Sequence, residues 1–144
     1  VGVALVLATL VFSAETALAQ SLESAAAATG GSISASDAYQ AASSGRTLLI
    51  DTREAYEKRS GSPAGVGAEI TYLMGGDSDA GFIRDMLKLV AGKRDASITL
   101  ICQAGVRSAA AQRVLERDGF NNVRSVAGGY SAWRERHLPS QTSQ

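Results

Sequence analysis

Cysteine is almost missing from this chain: Cys102 is the single one in 144 residues. One cysteine rules out an internal disulfide, so the fold rests on packing alone, and it leaves no resolving thiol for a dithiol redox cycle. Histidine is as scarce. The lone His137 lies near a polar C-terminal stretch, which supports neither a cysteine–histidine dyad nor a metal site, and no metal or cofactor is expected. An excess of charge of one sign is also absent, since Lys and Arg number 14 and so do Asp and Glu. That balance gives no footing for nucleic acid as a partner. P-loop spacing is missing, and Gly128-Gly129 lacks the spacing of a dinucleotide fingerprint. Arg134 and Arg136 read as a solvated face, and Tyr130 and Trp133 as a helix face packed on a sheet, with the lining of a pocket mouth as the alternative.

Long apolar runs are limited to one. Residues 1–12, VGVALVLATLVF, carry no charge and are followed by Ala17-Leu18-Ala19 before Gln20. The run falls short of the about 20 apolar residues of a comfortable membrane span. It has the form of the apolar region and small-residue cleavage site of a secretory signal peptide. Residues 1–19 are therefore expected to be removed after Ala19, leaving a periplasmic or secreted chain with no membrane span; an uncleaved anchor is the alternative. No cysteine follows the run directly, which argues against a lipoprotein anchor. The remainder suffices for one domain with a core and is too short for two.

Past the cleavage site, residues 20–32 are rich in alanine, serine and glycine and read as a tether. The domain is expected over 33–137, with 138–144 as a C-terminal tail. Ser36-Asp37 ahead of Ala38, Tyr39, Ala41 and Ala42 predicts a capped helix ending at Gly45. Leu48 to Asp51 reads as a strand, Glu54 to Arg59 as a short polar helix, Gly61 to Gly67 as a loop and Glu69 to Leu73 as a short strand, broken by Gly75 to Asp79. Phe82, Ile83, Met86, Leu87, Leu89 and Val90 recur at helical spacing and predict an amphipathic helix over 80–91. Ser97-Ile98-Thr99-Leu100-Ile101 reads as a buried parallel strand, and Val123 to Val126 as the last one. The alternation predicts an α/β fold: a central, mostly parallel sheet with helices on both faces.

The chemistry concentrates at Cys102-Gln103-Ala104-Gly105-Val106-Arg107-Ser108, which joins the buried strand to a helix predicted from Ser108 onward. By residue type alone a lone cysteine is a small buried hydrophobe. Glycine, arginine and serine gathered at a strand's carboxyl end, where open α/β sheets place their ligands, point instead to a reactive thiol. Backbone N–H groups in a strand-to-helix turn form an anion-binding nest, and the helix N-terminus adds partial positive charge. Both favour thiolate over thiol. Gly105 admits a backbone conformation closed to other residues, and Arg107 brings a permanent cation near the sulfur. Asp51 and Arg53 end another strand as a charged pair that either orients this loop or caps the next helix; in either case their role is read as supporting.

These segments resemble a known family. Cys102 to Ser108 is similar to the active-site loop of the rhodanese superfamily, whose single-domain members often read C-x-x-G-x-R-S. Leu48-Leu49-Ile50-Asp51-Thr52-Arg53 resembles the family's first apolar strand ending in Asp-x-Arg. Gly119-Phe120-Asn121-Asn122-Val123 is similar to its turn into a late strand, and Gly128-Gly129-Tyr130-Ser131-Ala132-Trp133 to its closing Gly-Gly-aromatic-x-x-Trp segment. The likeness runs in order over roughly 33–137. Many relatives carry Gly-His-Ile-Pro-Gly-Ala after the first strand, whereas Gly61-Ser62-Pro63-Ala64-Gly65 here lacks the histidine.

The resemblance implies a rhodanese-like three-layer fold. It also implies a sulfurtransferase that moves a sulfane sulfur from thiosulfate or a similar donor to a thiophilic acceptor, cyanide or a thiol, through a persulfide on Cys102. The N–H groups of Gln103, Ala104, Gly105, Val106, Arg107 and Ser108 would hold the persulfide, and Arg107 would either guide the donor or brace the loop. The alternative is a sulfur carrier or thiol-sensing module loaded by a protein partner. Cell-cycle phosphatases that resemble rhodaneses place five residues between cysteine and arginine; here only four intervene, Gln103 to Val106. The tighter ring suits a sulfur atom better than a phosphoryl group. A monomer is expected.

Overall fold

The computed structural model describes residues 30–142. The expected signal peptide, and residues 20–29 of the expected tether, lie outside the described residues. Twelve elements follow in order: β1 (Ser32–Ile33), α1 (Ala35–Ser43), β2 (Leu48–Asp51), α2 (Ala55–Lys58), β3 (Ser62–Pro63), β4 (Val66–Glu69), α3 (Asp77–Leu89), β5 (Ile98–Ile101), α4 (Val106–Arg117), β6 (Val123–Val126), α5 (Gly129–Glu135) and β7 (Ser140–Gln141).

Five strands form one sheet in the order β1-β6-β5-β2-β4, and every pairing in it is parallel. The central strand β5 is buried along its whole length, which is why its sequence is an unbroken apolar and β-branched run rather than an alternation. Helices cover both faces. On one side α3 and α4 close over Ile50, Ile98, Leu100 and Val123 with Phe82, Met86, Val114 and Leu115. On the other, α1 and α5 close over Ile33, Leu49, Ile101 and Val126 with Ala38, Tyr130 and Trp133. Trp133 anchors the second layer: its ring meets Tyr39 edge-on at 5.7 Å, and its indole N–H donates to the Pro139 carbonyl at 2.8 Å. Truncating an aromatic so placed costs about 3–5 kcal/mol. The fold is the predicted three-layer α/β arrangement.

Several boundaries differ from the sequence reading, each for a local reason. Helix α1 begins at Ala35 because Ser34, not Ser36, is its N-cap; the Ser34 hydroxyl oxygen accepts from the Asp37 N–H. Ser32, assigned to the tether, is already in β1 opposite Ser125. The strand expected at Glu69–Leu73 is displaced to Val66–Glu69. Here Gly67 packs against the side chain of Leu48, where a Cβ would lie 2.6 Å from Leu48 Cδ1, and it is the pairing of Val66, Ala68 and Glu69 with Leu49, Ile50 and Asp51 that fixes β4 beside β2. The next residues stay extended, with Ile70 and Tyr72 N–H groups donating to the Asp51 and Thr52 carbonyls at 3.1 and 3.0 Å. Helix α3 starts at Asp77, not residue 80, with Asp77 and Asp79 in its first turn, where the helix dipole favours acids; Leu89, counted among its apolar face, is exposed. Beyond β6, Ser140–Gln141 of the expected tail pair antiparallel with Ser62–Pro63 of the expected loop.

Candidate active site

Strand order decides the site. β2 and β5 are neighbours in register, Asp51 opposite Ile101, so the chain leaving β2 at Asp51-Thr52-Arg53 runs beside the chain leaving β5 at Cys102. The Thr52 N–H and hydroxyl both donate to the Ile101 carbonyl, at 2.8 and 2.9 Å. On the far side of β5, the start of α5 clamps the same loop: the Tyr130 N–H donates to the Cys102 carbonyl at 2.8 Å and the Ser131 N–H to the Gln103 carbonyl at 3.0 Å. Cys102 is thus fixed at the carboxyl end of the central strand, and its thiol is buried.

Two donors face the sulfur. The Gly105 N–H points at Cys102 Sγ from 3.1 Å and the Ser108 hydroxyl from 3.3 Å. Ser108 is in turn held by the buried Ser125 of β6, whose hydroxyl donates to Ser108 Oγ at 2.8 Å. Gly105 adopts φ +93° and forms the N-cap of α4; this turn starts the helix at Val106, two residues before the predicted position. Arg107 and Ser108 therefore belong to its first turn, where backbone N–H groups have no partner within the helix. Ala104 and Val106 are exposed on the rim, and Gln103 is half-buried.

The turn into α5 approaches the loop so closely that one residue type fits. Gly129 has φ +58°, and a Cβ there would lie 2.4 Å from the Cys102 carbonyl oxygen and 2.8 Å from the Gln103 carbonyl carbon. Gly129→Ala is expected to destabilise the protein by about 2–4 kcal/mol through the strained φ and the backbone clash, read as a lower urea midpoint. The same change displaces the Cys102 loop.

Asp51 and Arg53 are both fully buried and paired. Arg53 Nη2 donates to Asp51 Oδ2 at 2.8 Å, and Nε to Oδ1 at 3.0 Å. The rest of the guanidinium ties the surroundings together: Nη1 donates to Gln103 Oε1 at 3.3 Å, Nη2 donates to the Gly61 carbonyl at 3.0 Å, and Cζ lies 4.2 Å from the centroid of the Tyr130 ring. Of the two roles open in the sequence, the contacts are those of a brace for the loop; the N-cap of α2 is Glu54, not Asp51.

Arg107 pairs with Glu57 on α2. Nη1 donates to Glu57 Oε2 at 2.8 Å, and Nη2 to Oε1. This pairing holds the Glu57 carboxyl below the usual glutamate range and raises Arg107 further, the hydrogen bonds between them being the leading cause for both. The stability it contributes is complete above the ordinary glutamate value, near pH ~4.3, and is lost as pH falls through the lower folded value. Glu57 escaped the sequence reading because its position, third after the N-cap Glu54, already has a local explanation in a capping box. Ser125 gave no signal at all, one serine in a short strand that also carries Arg124. Among the described residues no cluster of His, Cys, Asp and Glu is arranged to hold a metal ion.

This geometry, a cysteine cradled between the end of a central parallel strand and a helix N-terminus, can be set beside known proteins. The family model described as the rhodanese-like domain matches residues 34–136. The chain belongs to the rhodanese-like family. It is 33% identical over 94 residues to thiosulfate sulfurtransferase 16, chloroplastic, of Arabidopsis thaliana, an alignment covering 64% of this chain and 78% of that protein. A thiosulfate sulfurtransferase of Vibrio cholerae is 37% identical over 49 residues, covering 34% of this chain and 46% of the relative. Among solved structures, a rhodanese-related protein from Thermoplasma volcanium superposes with a TM-score of 0.60 at 30% identity, covering 78% of this chain and 98% of the other. The rhodanese-like core thus takes in every residue placed above around Cys102, from Asp51 to Ser131. Among the described residues no helix is long and apolar enough to cross a membrane.

Proposed function

We propose that this rhodanese-like protein is a sulfurtransferase working through a persulfide on Cys102. The observation that carries the reading is the environment of Sγ: a single cysteine, faced by the Gly105 N–H and the Ser108 hydroxyl, at the N-terminus of a 12-residue helix. The relatives' names give the reaction class. In the first half-reaction the Cys102 thiolate attacks the outer sulfur of thiosulfate. The S–S bond of the donor breaks, sulfite leaves with the bonding pair, and Cys102–S–S⁻ remains. The negative charge then rests on the terminal sulfur, where the N–H groups at the start of α4 stabilise it by preorganised hydrogen bonds. A thiophilic acceptor such as cyanide removes that sulfur as thiocyanate and regenerates the thiolate.

Intact mass of the purified protein tests this directly. Thiosulfate is expected to add one sulfur, about 32 Da, which cyanide removes, over repeated cycles. A protein with a demonstrably free thiol that gains no mass contradicts the proposal. One that accepts a single sulfur from a protein partner but shows no turnover with thiosulfate and cyanide is a carrier instead.

A further inference from the structure

Attack by a thiolate on an anionic donor brings like charges together, and thiosulfate brings two. The approach is favoured only if cations at the site offset them. Three cations on α2, the segment before it and the Cys102 loop are each held by a carboxylate, Arg53 by Asp51, Lys58 by Glu69 and Arg107 by Glu57, while Arg59, the exposed C-cap of α2, is a fourth. Arg53 is fully buried as well. Arg107 is the one nearest in sequence to the sulfur, and both of its terminal nitrogens are engaged by Glu57 oxygens. Within the Cys102 loop itself, with Arg107 paired, the start of α4 is left to attract an anion, its dipole equivalent to about half an elementary charge. That is modest against a thiolate and a dianion together. Tyr56, exposed beside Glu57, reports the same balance, its hydroxyl being pushed up first by Glu57 and then by Glu54, with Arg107 opposing more weakly.

We propose that Glu57 is a positioning residue that sets donor charge selectivity. By neutralising Arg107 it favours singly charged sulfane-sulfur donors over dianionic thiosulfate. This inference rests on the sulfurtransferase reading above and names the donor class for it. The chemistry is the same for either donor. With methanethiosulfonate, in which a methyl group replaces one sulfonate oxygen of thiosulfate, the thiolate takes the outer sulfur, the S–S bond breaks, and methanesulfinate leaves with the electron pair. One charge fewer must approach.

The experiment compares kcat/KM for thiosulfate and methanethiosulfonate, with cyanide as acceptor, in the wild type, Glu57→Gln, Glu57→Asp and the Glu57→Gln/Arg107→Gln double variant. Glutamine removes the charge and keeps one acceptor oxygen for the guanidinium, at the loss of what the second carboxylate oxygen accepts, so Glu57→Asp and the double variant serve as controls for that lost bonding. The thiosulfate-to-methanethiosulfonate ratio is expected to rise roughly five- to tenfold in Glu57→Gln at low ionic strength. It should return to within about twofold of wild type in Glu57→Asp and in the double variant. In the wild type, added salt should raise the rate with thiosulfate more than that with methanethiosulfonate, because screening relieves repulsion most for the dianion. A ratio unchanged in Glu57→Gln, with both donors slowed in parallel, makes Glu57 a brace only and overturns the inference. So does salt that depresses thiosulfate turnover selectively, the mark of an available cation, and this readout needs no variant to fold. Cys102 loading, followed by mass, separates the two levels: no sulfur gained from either donor sinks the sulfurtransferase reading, whereas loading with an unchanged ratio sinks only the role of Glu57.

Discussion

Cys102→Ser is expected to abolish the mass gain with thiosulfate and to lower turnover by at least about 10⁴-fold, the scale seen when a covalent nucleophile is removed. Folding should be almost unaffected. Serine is close in shape, and the Gly105 N–H and Ser108 hydroxyl that face Sγ can donate to its oxygen as well. Thermal unfolding of the variant beside its rate therefore separates chemistry from structure. Retention of full activity would mean that the reaction does not pass through this side chain, and the persulfide mechanism would fall. Because the chain has one cysteine, no other thiol can take over.

Arg53→Ala should produce the largest loss of stability. Arg53 and Asp51 are both fully buried, 2.8 Å apart. Removing the cation strands a carboxylate in the protein interior, which costs about 3–5 kcal/mol. For a domain whose total stability is about 5–15 kcal/mol, that is a large share, and Tm should fall by roughly 10–20 °C. The loss is expected to be mostly electrostatic. A double variant, Asp51→Asn with Arg53→Met, should therefore recover at least half of it, since no uncompensated charge remains. If the double variant is as unstable as the single one, the hydrogen bonds from Arg53 to Gly61 and Gln103 outweigh the charge pair. Activity in Arg53→Ala should drop further than stability explains, because the Gln103 side chain loses its donor.

How far the chain could be read without coordinates follows from the range of the forces involved. Strands β2 and β5 were legible because burial on both faces favours apolar and β-branched runs, and the predicted spans of β2, β5 and β6 agree with those found to within a residue. The Cys102 loop stood out in the sequence because its residue types make poor core packing, and the structure places it between the end of β5 and the start of α4. Errors fell where a local pattern competes with a contact distant in sequence. β4 was misplaced because Val66-Gly67-Ala68-Glu69 has little strand character of its own and is set by its pairing with β2, which no window around residue 67 reveals. The start of α4 was placed two residues late because the φ of Gly105 depends on the close approach of Gly128, whose N lies 3.0 Å from where a Cβ at position 105 would be.

By itself the sequence determined the fold class and the presence of a single cysteine, Cys102, at the end of a buried strand, since each rests on residue type and short-range periodicity. Only the tertiary structure decided what Arg107 and Arg53 do. Their partners Glu57 and Gln103 are each 50 residues away along the chain, and become neighbours because β2 and β5 lie side by side. The line of hydroxyls from Ser125 through Ser108 to Cys102 belongs to the same class: it exists because β6 lies next to β5 and α4 packs across both, a geometry that no residue in it announces.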